Sequence, residues 1–314
     1  MAQEKEIATR ITSLAELLEI VSAIRAISAS QMQQALRSLE AIRRYSEMIQ
    51  AALSDAATLL PSDGTAAAAA APFKSGLVVF CAEHGLCGGF NEHLLRVVER
   101  ALADSAGKLV SIVVGSRGGQ ICRERGLRPD VVLPMATHCA GVTSAARRVA
   151  TELYRMFSEG RIAGLEVVYA QHAGSPFPRI ERRRLLPLEV PVVERRPLPM
   201  PPLINLGPRR LFDEIVGEYF FAALENAAMQ SFFSESSTRF RTMEAAHQNI
   251  GNKSEELTRL ARRLRQEAVT TEILDLISGA EALHPSERRV DAAAGKADAT
   301  SIAETGTGRQ KMIN

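Results

Sequence analysis

The sequence predicts an α/β protein in which a long helix at each end of the chain pairs with the other as a coiled coil, beside a small α/β domain. The first observation is proline placement: all 14 prolines lie at position 61 or later, and none lies between 209 and 284. The second is a 3.5-residue apolar repeat within the two proline-free segments. The third is a middle part in which short apolar runs alternate with amphipathic segments, a pattern typical of alternating strands and helices.

The first proline-free segment, residues 1–60, predicts one uninterrupted helix. Positions taken from 7 to 53 in alternating steps of four and three are mostly apolar, and the exceptions are Arg25, Ser28 and Ser46. Because a period of 3.5 residues keeps one narrow stripe facing a partner helix, this stripe predicts a coiled-coil seam. Its apolar members are Ile7, Ile11, Leu14, Leu18, Val21, Met32, Ala35, Leu39, Ile42, Ile49 and Leu53.

The second proline-free segment, residues 209–283, repeats the seam less regularly and predicts a second long helix. Its last turns are small and mildly apolar, and Gly279 is expected to end it. At 1.5 Å per residue the two helices would be roughly 75 to 110 Å long, so we expect them to project from the body and pair with each other. The second seam consists of Phe233, Ser236, Phe240, Met243, His247, Ile250, Ser254, Leu257, Ala261, Leu264 and Ala268.

The middle of the chain, residues 73–205, predicts a small, mostly parallel, Rossmann-like α/β domain. We expect a flexible connector over residues 54–74 on one side and an extended proline-rich return over 187–208 on the other. The expected strands are residues 75–82, 108–115 and 165–172, and the expected helices are residues 91–103 and 143–159.

Composition excludes several classes of function. A net charge of +2 at pH 7 gives no general attraction to nucleic acid or to an anionic membrane surface. No apolar run approaches the roughly 18 residues that span a bilayer, so we expect no direct membrane insertion. The four cysteines form no C-x-x-C pair, which favours reduced structural thiols over a metal site or a disulfide framework.

The stretch "GLCGGFN", residues 85–91, follows the first expected strand and resembles a phosphate-binding loop only superficially. Gly85, Gly88 and Gly89 have the wrong spacing for G-x-G-x-x-G, and no Gly-Lys-Ser/Thr follows them. A nucleophilic role for Cys87 is the alternative, but no histidine or acid accompanies it in a recognisable motif. A tight structural turn is the favoured interpretation, and the sequence indicates neither catalytic residues nor a cofactor.

Three motifs together resemble the gamma subunit of F-type ATP synthases over roughly residues 3–283. They are "KEIATRITSL", "GLCGGFNEHL" and "RQEAVTTEILDLISGAEAL", in that order along the chain. The resemblance implies that the terminal helices form an antiparallel coiled coil, the central rotating shaft inside a ring of alpha and beta subunits. The chain would couple ion flow through a membrane c-ring to ATP synthesis or hydrolysis on the beta subunits, without catalytic residues of its own.

The resemblance also implies where the chain meets its partners. Besides the alpha and beta subunits and the c-ring, it implies contact with an epsilon subunit, at the cytoplasmic face of a bacterial plasma membrane. It places residues 265–283 at the shaft tip, inside a bearing made by the surrounding subunits. Five positions on the second helix match residues that contact the catalytic subunits: Arg239, Gln266, Thr270, Glu272 and Asp275.

The first helix departs from the family pattern. Where family members carry lysines, this chain has Glu19, Ser22 and Gln31. This leaves Arg25 and Arg37 as the candidate basic contacts and indicates a divergent branch, an alternative F-type pump that works mainly in hydrolysis.

Residues 284–314 extend past the usual end of the family and are expected to be a disordered tail. Two alternatives remain at this point: a generic coiled-coil scaffold, and a Rossmann-like nucleotide-binding enzyme.

Overall fold

Two long helices lie at the ends of the chain. The computed structural model describes residues 2–60, 74–105, 107–171, 178–188 and 203–283. Helix α1 covers Ala2–Thr58 and helix α5 covers Pro208–Leu283. The predicted fold of long terminal helices with a central sheet domain is confirmed. Most of the expected connector, most of the proline-rich return and the whole tail after Leu283 lie outside the described residues.

Helices α1 and α5 run antiparallel where they pack together. Within the compact unit formed by residues 17–249, Arg25 of α1 pairs with Glu244 of α5, and Tyr45 donates a hydrogen bond to Glu218. As the residue number rises along α1, that of its partner on α5 falls. The seam exception Ser28 is fully buried, and its hydroxyl is satisfied because it donates to the Ile24 carbonyl of its own helix. A small side chain with an internal hydrogen bond therefore fits the seam.

The other compact unit contains α1 up to Glu16 and α5 from Ile250 onward. Ile7 is buried there, as expected of a seam residue. Two expectations were wrong. Ala268 was expected on the buried seam but is exposed, as is every residue of α5 from Arg265 to Ala280. Gly279 does not end the helix, since α5 continues to Leu283 and a side chain at Gly279 would meet nothing within 4 Å.

Between the two helices, the described residues form a five-stranded sheet of order β3-β2-β1-β4-β5. Strands β1 to β4 are parallel where they pair, and β5 runs antiparallel to β4 at the edge. Strands β3 and β5 and helix α3 were not predicted. The strands are β1 Ser75–Phe80, β2 Leu109–Val114, β3 Val131–Leu133, β4 Gly164–Gln171 and β5 Arg179–Leu186. The helices are α2 Phe90–Asp104, α3 Ser116–Glu124 and α4 Val142–Ser158.

Both faces of the sheet are covered, and β1 shows how its sequence divides between them. Val78 and Phe80 point to one core, which α4 closes together with parts of α1 and α5. Leu77 and Val79 point to the other core, which α2 and α3 close. Successive side chains of a strand alternate between faces, so a strand covered on both sides is a continuous apolar run. The long helices are therefore part of the domain core.

Candidate functional site: the junction of the helices and the sheet

Helix α5 occupies the carboxyl ends of β1 and β4. The Ser231 hydroxyl donates to the Phe80 carbonyl at 2.7 Å, and the Ser234 hydroxyl donates to the Ala170 carbonyl at 3.0 Å. From β1 the sheet is extended on one side by β2 and β3 and on the other side by β4, and open α/β sheets usually bind ligands at such a switch between two parallel strands. Here α5 fills that position, so the arrangement suits mechanical attachment better than nucleotide binding.

One helical turn further along α5, a buried ion pair holds the loop between β1 and α2. The Arg239 guanidinium pairs with Glu235 and donates to the Gly85 carbonyl at 3.1 Å and the His84 carbonyl at 3.3 Å. The side chains of Glu235 and Arg239 are 5% and 11% exposed. Burial raises the pKa of the Glu235 carboxyl to about 7, although Arg239 opposes the shift. Arg239 thus neutralises a buried acid and ties the loop to α5.

Glu83 extends this attachment to the loops that follow β2 and β3. Its carboxylate accepts hydrogen bonds from the Ser116 amide at 2.9 Å, the Ser116 hydroxyl at 2.6 Å and the Met135 amide at 2.7 Å. Burial raises the pKa of Glu83, but these hydrogen bonds and the nearby His84 outweigh it, and the net pKa is lowered. The ionised carboxylate therefore holds three loops at one edge of the sheet.

Helix α1 joins the same edge through Gln31, whose side-chain amide donates to the Thr137 carbonyl at 2.9 Å. Arg25 connects α1 directly to α5 by its 2.9 Å contact with Glu244. We call this set of contacts the junction; its members are Arg25, Gln31, Glu83, Arg239, Ser231, Ser234, Glu235 and Glu244. The junction links both long helices to the carboxyl edge of the sheet, so that none of the three can turn without breaking hydrogen bonds.

The glycine-rich stretch lies in the loop between β1 and α2. Gly88 has φ of +54°, a left-handed conformation that glycine adopts readily, whereas Gly89 lies directly before α2 and Gly85 supplies a carbonyl to Arg239. Cys87 is buried, and burial raises the pKa of its thiol to about 11, with Glu235 adding to the effect. A thiol that stays protonated at neutral pH is a poor nucleophile, which favours the structural interpretation.

The predicted partner-contact residues fall into two groups. Arg25 and Arg239 are engaged within the chain, as described above, whereas Arg37 is exposed on α1. Gln266, Thr270, Glu272 and Asp275 all lie on the exposed segment of α5. Their contacts with other subunits remain predictions.

This exposed segment, residues 265–280, has one apolar face. Val269, Ile273, Leu276 and Ile277 are 48 to 70% exposed and fall on one side of the helix by their spacing of three and four. Asp275 falls on the opposite side, whereas Glu272, three residues after Val269 and four before Leu276, lies at the edge of the apolar face. An amphipathic helix that leaves its apolar face open is typical of a surface that another chain covers.

Sequence reasoning missed Glu83, Ser231 and Glu235. A usable signal was present in "SFFSESST", residues 231–238, where small polar residues follow the mostly apolar stretch "YFFAALENAAM". Small hydroxyl side chains in a buried helix indicate close contact with another backbone. No comparable signal marks Glu83.

Comparison with known proteins agrees with this geometry. A family model described as ATP synthase matches residues 3–283. The chain belongs to the ATP synthase family. Among its relatives in this family, the ATP synthase gamma chain of Ruminococcus albus is 26% identical over 283 residues, covering 88% of this chain and 98% of the relative. The gamma chain of Mesorhizobium japonicum is 29% identical over 306 residues, covering 90% and 100%.

Solved structures from ATP synthases share the fold. A chain of the Euglena gracilis mitochondrial enzyme, in a structure of OSCP, F1 and c-ring, matches with a TM-score of 0.60 at 12% identity, covering 99% of both chains. A chain of the Tetrahymena thermophila central stalk and c-ring structure matches with a TM-score of 0.54 at 18% identity, covering 72% of this chain and 99% of that chain.

The prediction of a gamma-type subunit that serves as the rotor shaft of an ATP synthase is thereby confirmed. Gamma subunits are in general non-catalytic parts of that complex. Within the described residues, no helix combines the length and apolar character that crossing a bilayer requires.

Proposed function

We propose that this ATP synthase family member couples ion flow through a membrane c-ring to ATP synthesis or hydrolysis on beta subunits, by rotating inside a ring of alpha and beta subunits. The observation that carries the proposal is the junction, because a shaft must move as one piece with the domain that receives or delivers torque. Arg239 and Glu83 join α5 to three loops of the sheet, and Gln31 joins α1 to the same edge. A torque applied to the α/β domain therefore passes to both helices.

The shaft needs stiffness and asymmetry. Stiffness comes from α5, in which none of the residues from Tyr219 to Glu244 is exposed, so that twisting this part would uncover apolar surface and break the serine hydrogen bonds together. Asymmetry comes from a single chain inside a ring of repeated subunits. Each catalytic site meets a different face of the shaft, and its affinity for nucleotide changes as that face turns.

We assign the partner contacts by exposure. Gln266 and Thr270 lie on or beside the apolar face of the exposed segment, Glu272 lies at its other edge, and these three offer polar groups to one ring subunit. Asp275, on the opposite side, serves a different ring subunit. Arg37 is the exposed basic contact of α1. Arg25 and Arg239 face partners only as ion pairs that are already made within the chain, which weakens their attraction for an acidic loop.

The remaining partners follow from the proposed role. The c-ring and an epsilon subunit meet the α/β domain, at the end of the shaft away from the catalytic ring. This makes the chain a peripheral part of a membrane-bound complex, and we place that complex at the cytoplasmic face of a bacterial plasma membrane.

The direct test is ATP-driven rotation of a probe on this chain. The native cysteines are buried, so a Tyr154→Cys variant offers a selective attachment point on α4, where Tyr154 is 78% exposed. We expect steady rotation in one direction when the labelled chain is assembled with its alpha and beta subunits and given ATP, and none with a non-hydrolysable analogue. A chain that ignores those subunits and forms a stable homodimer would support a coiled-coil scaffold. Stoichiometric nucleotide binding by the isolated chain would support an enzyme.

A further inference from the structure

An exposed apolar surface surrounds a cavity next to the junction. Ile20 and Ile27 of α1 are each 57% exposed, and Leu86, in the loop after β1, is 59% exposed. Ile27 and Leu86 line one cavity of about 250 Å³, which the half-buried Ile24 and the buried Phe232 close from within. We call Ile20, Ile24, Ile27 and Leu86 the apolar collar. Its cavity has room for one large side chain from outside.

The collar offers little charge to a partner. Between Ile20 and Leu36, α1 carries one charged residue, Arg25, and Glu244 already pairs with it. Two further charged groups line the cavity, Glu235 and Arg239, and they pair with each other. Gln31, also in the lining, donates to the Thr137 carbonyl. Because these polar groups are satisfied within the chain, charge complementarity favours an uncharged occupant.

The two long internal segments between described parts of the chain, residues 61–73 and 189–202, each adjoin a described residue at the amino edge of the sheet. Residues 61–73 lead into the amino end of β1, whereas the collar lies beyond its carboxyl end, about 20 Å away for a six-residue strand. Residues 189–202 follow β5, whose Leu186 pairs with Leu165 at the start of β4, so they leave from that same amino edge. Residues 172–177 lie between Gln171, at the carboxyl end of β4, and Pro178, which lines a separate cavity with Thr238 and Thr242. These attachments favour an occupant from another chain.

We propose that the apolar collar receives an uncharged loop tip or helix turn of a ring subunit, which inserts one large aliphatic or phenyl side chain into the cavity. The proposal rests on the shaft function, which places α1 inside the ring. It replaces the expected basic contact at this level of α1 with an apolar one. The contact is then held by burial of apolar surface, which salt does not screen.

The test uses two opposite charges at one position. Ile27→Lys and Ile27→Glu are compared with Tyr154→Lys and Tyr154→Glu, which alter an exposed side chain outside the collar. The readout is the dissociation constant of the full-length chain for its purified alpha and beta subunits, at about 50 mM and about 500 mM salt. Both Ile27 variants are expected to weaken binding by about tenfold or more, because each loses the free energy of burying one apolar side chain. The Tyr154 variants are expected to bind as the wild type does. Wild-type affinity is expected to change little with salt.

Several outcomes would overturn the proposal. If Ile27→Lys strengthens binding while Ile27→Glu weakens it, the partner surface is acidic and the contact is ionic. If neither variant changes affinity, the collar makes no contact. A homodimer that Ile27→Glu abolishes would make a second copy the occupant. A wild-type chain that fails to bind the ring subunits at all contradicts the shaft function itself, which separates that failure from the failure of the collar.

A second measurement, thiol labelling at position 27, tests whether the collar is accessible in the free chain and whether residues 284–314 cover it. An Ile27→Cys variant carries a surface thiol beside four buried ones, so its labelling rate reports access to the collar. We expect at least tenfold slower labelling in the complex than in the free chain. Slow labelling in the free chain that becomes fast when the chain is ended at Leu283 would make residues 284–314 the occupant and overturn the proposal.

Discussion

Two stretches of helix α5 differ completely in what surrounds them. None of the residues from Tyr219 to Glu244 is exposed, whereas all of those from Arg265 to Ala280 are exposed. The first stretch packs on the sheet and on α1, and its serines bond to strand carbonyls. The second keeps a face of large apolar side chains open. The chain thus buries one stretch by itself and leaves the other exposed, although both have the same secondary structure.

The largest effect is expected from a matched pair of leucines, one in each stretch. Leu224 is fully buried and Leu276 is 70% exposed. Leu224→Ala is expected to lower the free energy of unfolding of the isolated chain by about 4 kcal/mol, because it leaves a cavity in the core. Leu276→Ala is expected to change it by less than about 0.5 kcal/mol. Urea denaturation followed by circular dichroism measures both. Equal losses would mean that the isolated chain buries the two stretches alike.

A pair of arginines sharpens the comparison within the junction. Arg239→Met leaves the Glu235 carboxylate buried without its partner, which is expected to cost about 3 kcal/mol in unfolding free energy at a pH where the acid is charged. Arg25→Met breaks a half-exposed pair, and less than about 1 kcal/mol is expected. If both variants lost the same stability, the attachment of the loop to α5 would not depend on Arg239.

A further effect is expected in the pH dependence of the unfolding free energy. Because the pKa of Glu235 is raised from 4.5 to about 7, the folded chain keeps a proton in this window that the unfolded chain releases. The contribution of this group to unfolding free energy therefore falls as pH rises from about 4.5 to about 7. Glu235→Gln removes this contribution. As pH rises from about 4.5 to about 7, the unfolding free energy of the wild type should therefore fall more, or rise less, than that of the variant. Glu256→Gln, at a 68% exposed carboxylate, is the control and should follow the wild type.

The same contrast explains how much the sequence could predict. The seam residues of α1, and those of α5 from Met243 to Leu264, are buried or half-buried at a regular spacing among mostly exposed residues, so the two helices could be found from the sequence. In the stretch around Ser231 and Glu235, all residues from 231 to 237 are buried, so the seam positions Phe233 and Ser236 do not stand out from their neighbours. Its role depends on strand carbonyls more than sixty residues away in the sequence, such as that of Ala170.

Helix α3 and strand β5 were missed for local reasons. In α3, "SRGGQICRE" has two glycines that lower helix propensity, yet a Cβ at Gly118 would lie 2.2 Å from the Cβ of Cys81, and one at Gly119 would lie 2.7 Å from Val132. Close packing on the sheet requires them. Strand β5, "RIERRRLL", is rich in charge because it lies at an edge, where Arg182 pairs with Glu166 of β4. Neither segment has the apolar periodicity by which the other elements were found.

The central claim, that the distal stretch of α5 is built to be covered by other subunits, is tested most directly by thiol labelling of a Leu276→Cys variant. Labelling is measured on the free chain and on the chain assembled with its alpha and beta subunits, with Tyr154→Cys as the reference. We expect Leu276→Cys to react rapidly in the free chain and at least tenfold more slowly in the assembly, while Tyr154→Cys reacts at the same rate in both. Equal rates for Leu276→Cys in the two states would contradict the account.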